Sequence, residues 1–284
     1  MALRALIALL AAALFAADTA PPVVWVCPMD PEIRSAQPGK CSRCGMKLQA
    51  GIPDQVEYPL RLQVTPSQIP AGRELLFTFR VTEPVKGKPV THFEVVHEKL
   101  FHLFVVDQDL EYFAHVHPVP QPDGSFTLRA TLPKPGTYRL LGDYYPTGGV
   151  PQLNPIAIRT QGYVAPLVPA NLKPDVSPQH GENLEVELTT DPPQPIAGMK
   201  TLLFVKVKPA AGLEPYIGAW AHMLAVSNDL IDMIHTHPSI ADGGPNLQFD
   251  LFFPREATYK VWIQFQRLGK VNTVAFTVPV SRLK

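Results

Sequence analysis

The 284-residue chain is short of cysteine, of net charge and of long apolar runs, and each shortage excludes something. Lys plus Arg and Asp plus Glu are both 25, so the chain lacks the basic excess that nucleic-acid phosphates demand. Beyond the N-terminus no segment approaches the roughly 20 apolar residues a membrane-crossing helix needs. Neither G-x-S-x-G nor H-E-x-x-H occurs, so the common hydrolase signatures are missing. The three cysteines all lie before residue 45, far from most histidines, which excludes a blue-copper site with Cys beside His. Proline is abundant instead, with 32 residues. Proline breaks helices and central strands alike, so the composition predicts many short strands joined by turns.

Residues 1–20, MALRALIALLAAALFAADTA, read as a secretory signal peptide. Arg4 supplies the positive start, and Ala5 to Ala17 form an apolar run of 13 residues that is too short to span a bilayer. After cleavage the chain is expected to be periplasmic or secreted, with no integral membrane segment.

Export sharpens the cysteine question, because oxidising compartments favour disulfides, which come in pairs. Cys27, Cys41 and Cys44 lie in CPMDPEIRSAQPGKCSRCGMKL, one Cys followed by a C-x-x-C. Two intervening residues let both sulfurs of such a turn face one ion, and thiolates suit Zn and Cu(I). A Cys41–Cys44 disulfide is the competing reading. Thioredoxin-like redox chemistry is a third, but no βαβ pattern surrounds the motif.

The stretch Trp25 to Leu48, with C-P-M-x-P-E, P-G-K-C and C-G-M-K-L, resembles the small heavy-metal-binding domain of copper-efflux adaptors and metal-pumping ATPases. The resemblance spans about 24 residues and implies Cys27, Cys41 and Cys44 as ligands, with Met29 and Met46 lining the site. Where that family usually has His, this sequence has Asp30, a carboxylate that suits Zn better than Cu(I). The module is expected over residues 21–50.

The remainder repeats with a period of about 120 residues. HLFVVDQDLEYFAHVHP runs from His102 to Pro118, and HMLAVSNDLIDMIHTHP from His222 to Pro238. Upstream, IPAG ending at Gly72 matches PIAG ending at Gly198; downstream, Leu132–Tyr138 (LPKPGTY) matches Phe253–Tyr259 (FPREATY). Six of the nine histidines fall at matching places, which chance explains poorly. Short β-branched and aromatic runs bounded by Pro, Gly or Asp predict a mainly β protein: two tandem immunoglobulin-like or cupredoxin-like β-sandwiches behind a small Cys-rich metal-binding module. The first sandwich is expected over 54–160 and the second over 183–284, joined by a Pro-rich extended linker over 161–182.

A tight turn at Asp107–Leu110 would set His102 opposite His115, with His117 two residues on and on the same face. The same register sets His222 opposite His235, with His237 beside them. The face also carries Phe104, Val106, Leu224 and Val226, so it reads as the core side of each sandwich, with the histidines capping the core. Three close imidazoles repel when protonated and each needs a partner; a metal ion serves all three. His97 is the expected fourth ligand of the first unit, while Ile217 holds its place in the second. Buried histidines bonded to backbone remain the alternative.

The composition, thiols and histidine clusters together predict an exported metal-binding protein, with copper as the expected ion, zinc as the alternative, and a metal-efflux or metal-delivery protein as partner. It would act in metal homeostasis or resistance rather than as an enzyme on an organic substrate. A copper-dependent monooxygenase-like enzyme and a structural β-sandwich protein are the competing classes. The H-x-x-x-x-H-L-x-V-V…D-L…F-x-H-V-H-P string from His97 to Pro118 also resembles exported domains that accompany metal-resistance modules.

Overall fold

The computed structural model describes residues 24–29, 33–51 and 56–284; the expected signal peptide lies outside them. Every extended element pairs antiparallel. The N-terminal module is a three-stranded patch, Trp25–Val26 between Arg34–Ser35 and Gln49–Ala50. It is too small for a conventional core, and Cys27, Cys41 and Leu48 make up its buried centre.

Each repeat then folds as a two-layer sandwich. In the first, one sheet runs in the order Leu60–Thr65, Glu74–Val81, Phe126–Thr131, Val119–Pro120. The other runs Gln152–Arg159, Thr137–Tyr144, Phe101–Asp107, Phe113–Val116. In chain order that is first-second-sixth-fifth against eighth-seventh-third-fourth, the arrangement of an immunoglobulin-like domain with one added strand. The second repeat keeps the central strands of this arrangement, with Ala257–Arg267 flanked by His222–Ser227 and by the long last strand Lys270–Val280. Both repeats carry the tyrosine corner of such sandwiches: Tyr138 donates to Lys134 O at 2.8 Å, and Tyr259 to Arg255 O at 3.2 Å. The TY pair of the repeated LPKPGTY and FPREATY strings is therefore a structural signature.

Alternation along the strands separates two kinds of core. Glu74–Val81 buries every second residue and wets the rest, as a one-sided sheet should. Phe101–Asp107 and His222–Ser227 are buried at every position. Phe101, Leu103 and Val105 point into their own sandwich, whereas Phe104 and Val106 enter a shared core with Leu224, Val226, Leu230 and Trp262 of the other repeat. The expectation that the histidine face is the inner side of each sandwich is thus corrected. That face is the interface between the two sandwiches, and Phe113 stacks on Trp262 across it at 5.1 Å. A run apolar on both faces does not reveal which face meets which partner.

The register differs from the tight-turn expectation as well. Phe104 pairs with His115 and Leu224 with His235, two residues away from the expected partners. The turn is longer: Asp107 N donates to Tyr112 O, and Leu110 adopts a left-handed φ of 57°. The Asp107 carboxylate accepts from the amides of Glu111 and Tyr112, which holds the wider loop. Leu230 repeats it with φ 60°. A two-residue shift conserves the face, so each histidine trio stays together.

Residues 161–182 lie extended along the second sandwich. Ala170 donates to Asn228 O, Asp175 and Thr277 exchange a pair of backbone bonds, and Leu172 packs on the shared core. Phe104 is at the centre of that shared core, so Phe104→Ala is expected to cost about 3–5 kcal/mol in urea unfolding. A loss below about 1 kcal/mol would show that the face is open to water.

Candidate metal centres

Cys27 follows the first strand, while Cys41 and Cys44 sit on a turn closed by Gly45 N donating to Cys41 O at 3.0 Å. Gly45 takes the left-handed conformation there, φ 76°, which a side chain would resist. The three sulfurs lie within 4.8 Å of one another, and Cys27 Sγ and Cys44 Sγ are 3.5 Å apart, far beyond a disulfide bond of about 2.05 Å. They stand as thiols. The amides of Arg43 and Cys44 point at Cys41 Sγ, at 3.4 and 3.5 Å, favouring a thiolate there. Contact with Cys27 and burial raise the Cys44 thiol well above its usual range, and burial raises Cys41. Three crowded thiols that resist deprotonation are stable as thiolates when a cation takes up their charge. Met29 packs on this cluster, and buried Met46 joins Met29 and Cys44 in a second one. Asp30, which stands where the heavy-metal-binding family usually has His, lies outside the described residues.

Histidines form the second centre. His102 Nδ1 is 3.1 Å from His115 Nε2 and 3.2 Å from His117 Nε2. His237 Nε2 is 3.0 Å from His222 Nδ1, with His235 completing that triad. The triads meet across the shared interface: the rings of His115 and His222 are centred 5.3 Å apart, and those of His102 and His235 6.1 Å. His97 does not complete the first triad. Its ring lies on His237 of the other repeat at 3.8 Å and 5.6 Å from His222. His92 is exposed and bonded to Thr91, outside the cluster.

The outer nitrogens reveal the protonation pattern. The turn Val96–Lys99 carries His97 and Glu98 at positive φ, 46° and 65°, and Ile217 and Gly218 repeat that geometry. Each turn offers a carbonyl: His102 Nε2 donates to Val96 O at 3.0 Å, and His222 Nε2 to Tyr216 O at 2.8 Å. His115 Nδ1 donates to Gln264 Oε1 at 2.8 Å, and His235 Nδ1 to Asp143 Oδ2 at 2.6 Å. With these protons spent outward, His102 Nδ1 and His115 Nε2 face each other as lone pairs. The buried Nε2 atoms of His235 and His97 have no hydrogen-bond partner among the described residues. Inward lone pairs with outward N–H groups anchored on oxygen are what metal-bound imidazoles present. Metal–nitrogen bonds of about 2.0–2.1 Å put ligand nitrogens roughly 3–3.4 Å apart, close to the spacings observed. The donors fit an ion that accepts imidazole.

Asp143 and Gln264 are the residues sequence reasoning missed. Asp143 interrupts the apolar LLGDYY and Gln264 follows the apolar VWI, and they sit 121 positions apart on equivalent strands. That equivalence was the available signal. A fourth group, Asp107, Asp109 and Glu111, already holds the Lys134 ammonium at 2.8 to 3.0 Å from each.

A family model described as Domain of unknown function (DUF8832) matches the chain twice, over residues 54–161 and 179–282. The chain belongs to that family. A Heavy metal binding domain model matches residues 24–50, ahead of the two DUF8832 repeats. No curated protein matches the sequence. Among solved structures, the Yersinia pseudotuberculosis adhesin InvE aligns at 14% identity over 77% of this chain and 58% of its own, TM-score 0.25. Carbohydrate-binding modules of the β-sandwich superfamily align at 10% identity over 81% and 94%, TM-score 0.25. Red sea bream transglutaminase aligns at 10% over 81% and 32%, TM-score 0.24. Scores this low carry no argument about function.

Burial, then repulsion by neighbouring imidazoles, lowers His115 to about 2 and His97 to about 4, and burial with His102 and Lys99 lowers His117 to about 3. Burial likewise lowers His102, with Asp143 partly opposing, and takes His222 and His237 well below their usual value. Folded-state values beneath the unfolded 6.5 mean that the unfolded chain binds more protons as pH falls. Stability of the metal-free protein is therefore full above about pH 6.5 and declines toward pH 4, each histidine contributing up to about 1.4 kcal/mol per pH unit. The melting temperature should fall by more than about 5 °C between roughly pH 7.5 and 5.0. A flat profile would mean that the imidazoles reach solvent.

Proposed function

We propose that this DUF8832 protein handles metal ions outside the cytoplasm, with copper as its cargo. On this reading the thiols of Cys27, Cys41 and Cys44 take up a soft ion, Cu(I), and the histidine triads hold copper on the rigid sheets. The observation that carries it is the inward lone pairs of the histidine triads, His102 Nδ1 facing His115 Nε2 in the first and His222 Nδ1 with the unpartnered His235 Nε2 in the second, beside a module of the heavy-metal-binding type. Hydrogen-bonded polar residues that only filled a core would not leave ligand nitrogens facing one another. The apolar N-terminal run supports export, and buried thiols held apart from any disulfide support a soft ion. The proposal assigns no organic substrate and makes a metal-efflux or metal-delivery protein the partner.

The two centres share one structural element, which supports passage of metal between them. The Val96 side chain packs with Met46 and Tyr145 against Cys44, while the Val96 carbonyl anchors His102. Gln49 of the module donates to Tyr145 Oη and, at 2.9 Å, to Gly149 O.

Anaerobic titration of the full chain with Cu(I), Cu(II) and Zn(II) against competing chelators tests the proposal. Cys41→Ala/Cys44→Ala is expected to abolish the tightest Cu(I) equivalent and leave Cu(II) binding intact. His115→Ala/His117→Ala is expected to remove a Cu(II) equivalent and spare the thiol site. Tighter Zn(II) than copper at both centres would overturn copper as cargo, and absence of tight binding by any ion would overturn the function.

A further inference from the structure

Neither repeat builds its histidine site alone. His115 belongs to the first repeat, yet its outer N–H is held by Gln264 of the second. His235 belongs to the second, and its outer N–H is held by Asp143 of the first. The exchange is reciprocal, as in a two-fold interface, because Asp143 and Gln264 occupy the same position of the repeat. Four ring pairs link the triads at centroid distances from 5.3 to 6.2 Å: His102 and His115, each against His222 and His235. His97 adds a further crossing, reaching from the first repeat to His237.

We propose that the two triads form a single dinuclear metal centre shared between the repeats, with unequal sites in which Asp143 makes the second triad the tighter one for a divalent ion. This inference rests on the metal-handling reading above and adds how the histidine ions are arranged.

The inequality follows from charge. Asp143 is buried on the shared face, and its Oδ2 accepts the His235 Nδ1 proton at 2.6 Å, a short bond of the kind a carboxylate makes to an imidazole N–H. A carboxylate on the outer nitrogen raises the basicity of the ligating one and adds a negative charge beside the ion, in a medium of low dielectric. Gln264 fixes the tautomer of His115 equally well but brings no charge, and its own amide donates to Thr273 Oγ1 at 3.0 Å. The His97 ring also lies against His237 of the second triad at 3.8 Å, whereas the residue equivalent to His97 in the second repeat is Ile217. Two divalent ions at contacting triads repel within the interior, which widens the gap between first and second affinities.

The test uses the full chain carrying Cys27→Ser/Cys41→Ser/Cys44→Ser, titrated with Cu(II) and followed by electron paramagnetic resonance. One equivalent is expected to give an isolated mononuclear spectrum. The second should bind more weakly and bring dipolar broadening with a half-field transition, the sign of two close coppers. Asp143→Asn is expected to weaken the first equivalent by about 10–100-fold, and Gln264→Glu to tighten the second by a comparable factor. Melting curves check that each variant folds, and Gln264→Glu keeps the test decisive if Asp143→Asn does not. Two equal equivalents with additive, non-interacting spectra overturn the shared centre while leaving metal handling intact. Affinities unmoved by either variant overturn the role of Asp143. Failure of copper to bind the histidines at all overturns this inference together with the histidine half of the function beneath it.

Discussion

Everything else in the molecule depends on covering two strands that are buried on both faces. Phe101–Asp107 and His222–Ser227 are buried at every position, and one sandwich can cover only one side of such a strand. The repeat solves this with itself: Phe104, Val106 and Leu110 meet Leu224, Val226 and Leu230, the same positions of the two copies. Burying apolar side chains at about 25 cal/mol per Å² makes the pairing favourable. It also obliges any polar residue on that face to find a partner away from water.

The histidines are where that obligation falls. Six lie at the end of the shared face, and each outer nitrogen that is bonded goes to a fixed oxygen: Val96 O, Tyr216 O, Gln264 Oε1 or Asp143 Oδ2. What remains is a set of lone pairs pointing inward. A core stabilised only by packing would not concentrate unsatisfied acceptors at its centre, because each costs about 1–3 kcal/mol. The arrangement is unfavourable without a cation and favourable with one, which ties the stability of the interface to its ligand.

The thiol module is attached at the same place. Val96 touches Met46 through its side chain and His102 through its carbonyl, so the turn that carries His97 is common to both centres. Repetition is incomplete here, since Ile217 replaces His97 and nothing among the described residues flanks Tyr216 as the module flanks Val96. The duplicated fold has become unequal on the side where thiols and imidazoles approach.

Much was legible in the sequence. Short β-branched and aromatic runs bounded by Pro, Gly or Asp disclosed the strands, self-similarity disclosed two copies, and H-x-H on one strand put its two imidazoles on one face whatever the register. The C-x-x-C with its upstream Cys disclosed the thiol site, because ligands close in sequence stay close in any fold. The pairing of His102 with its partners was off by two residues, because the turn's length depends on the Asp107 carboxylate and a left-handed Leu110, which hydrophobic pattern does not encode. Which face the histidines occupy, the union of the two trios, the crossing of His97 and the roles of Asp143 and Gln264 were decided only in the tertiary structure. Those are contacts between residues more than 90 positions apart, set by how two finished sandwiches dock. Local patterning reports a strand's two faces and does not say what will cover them.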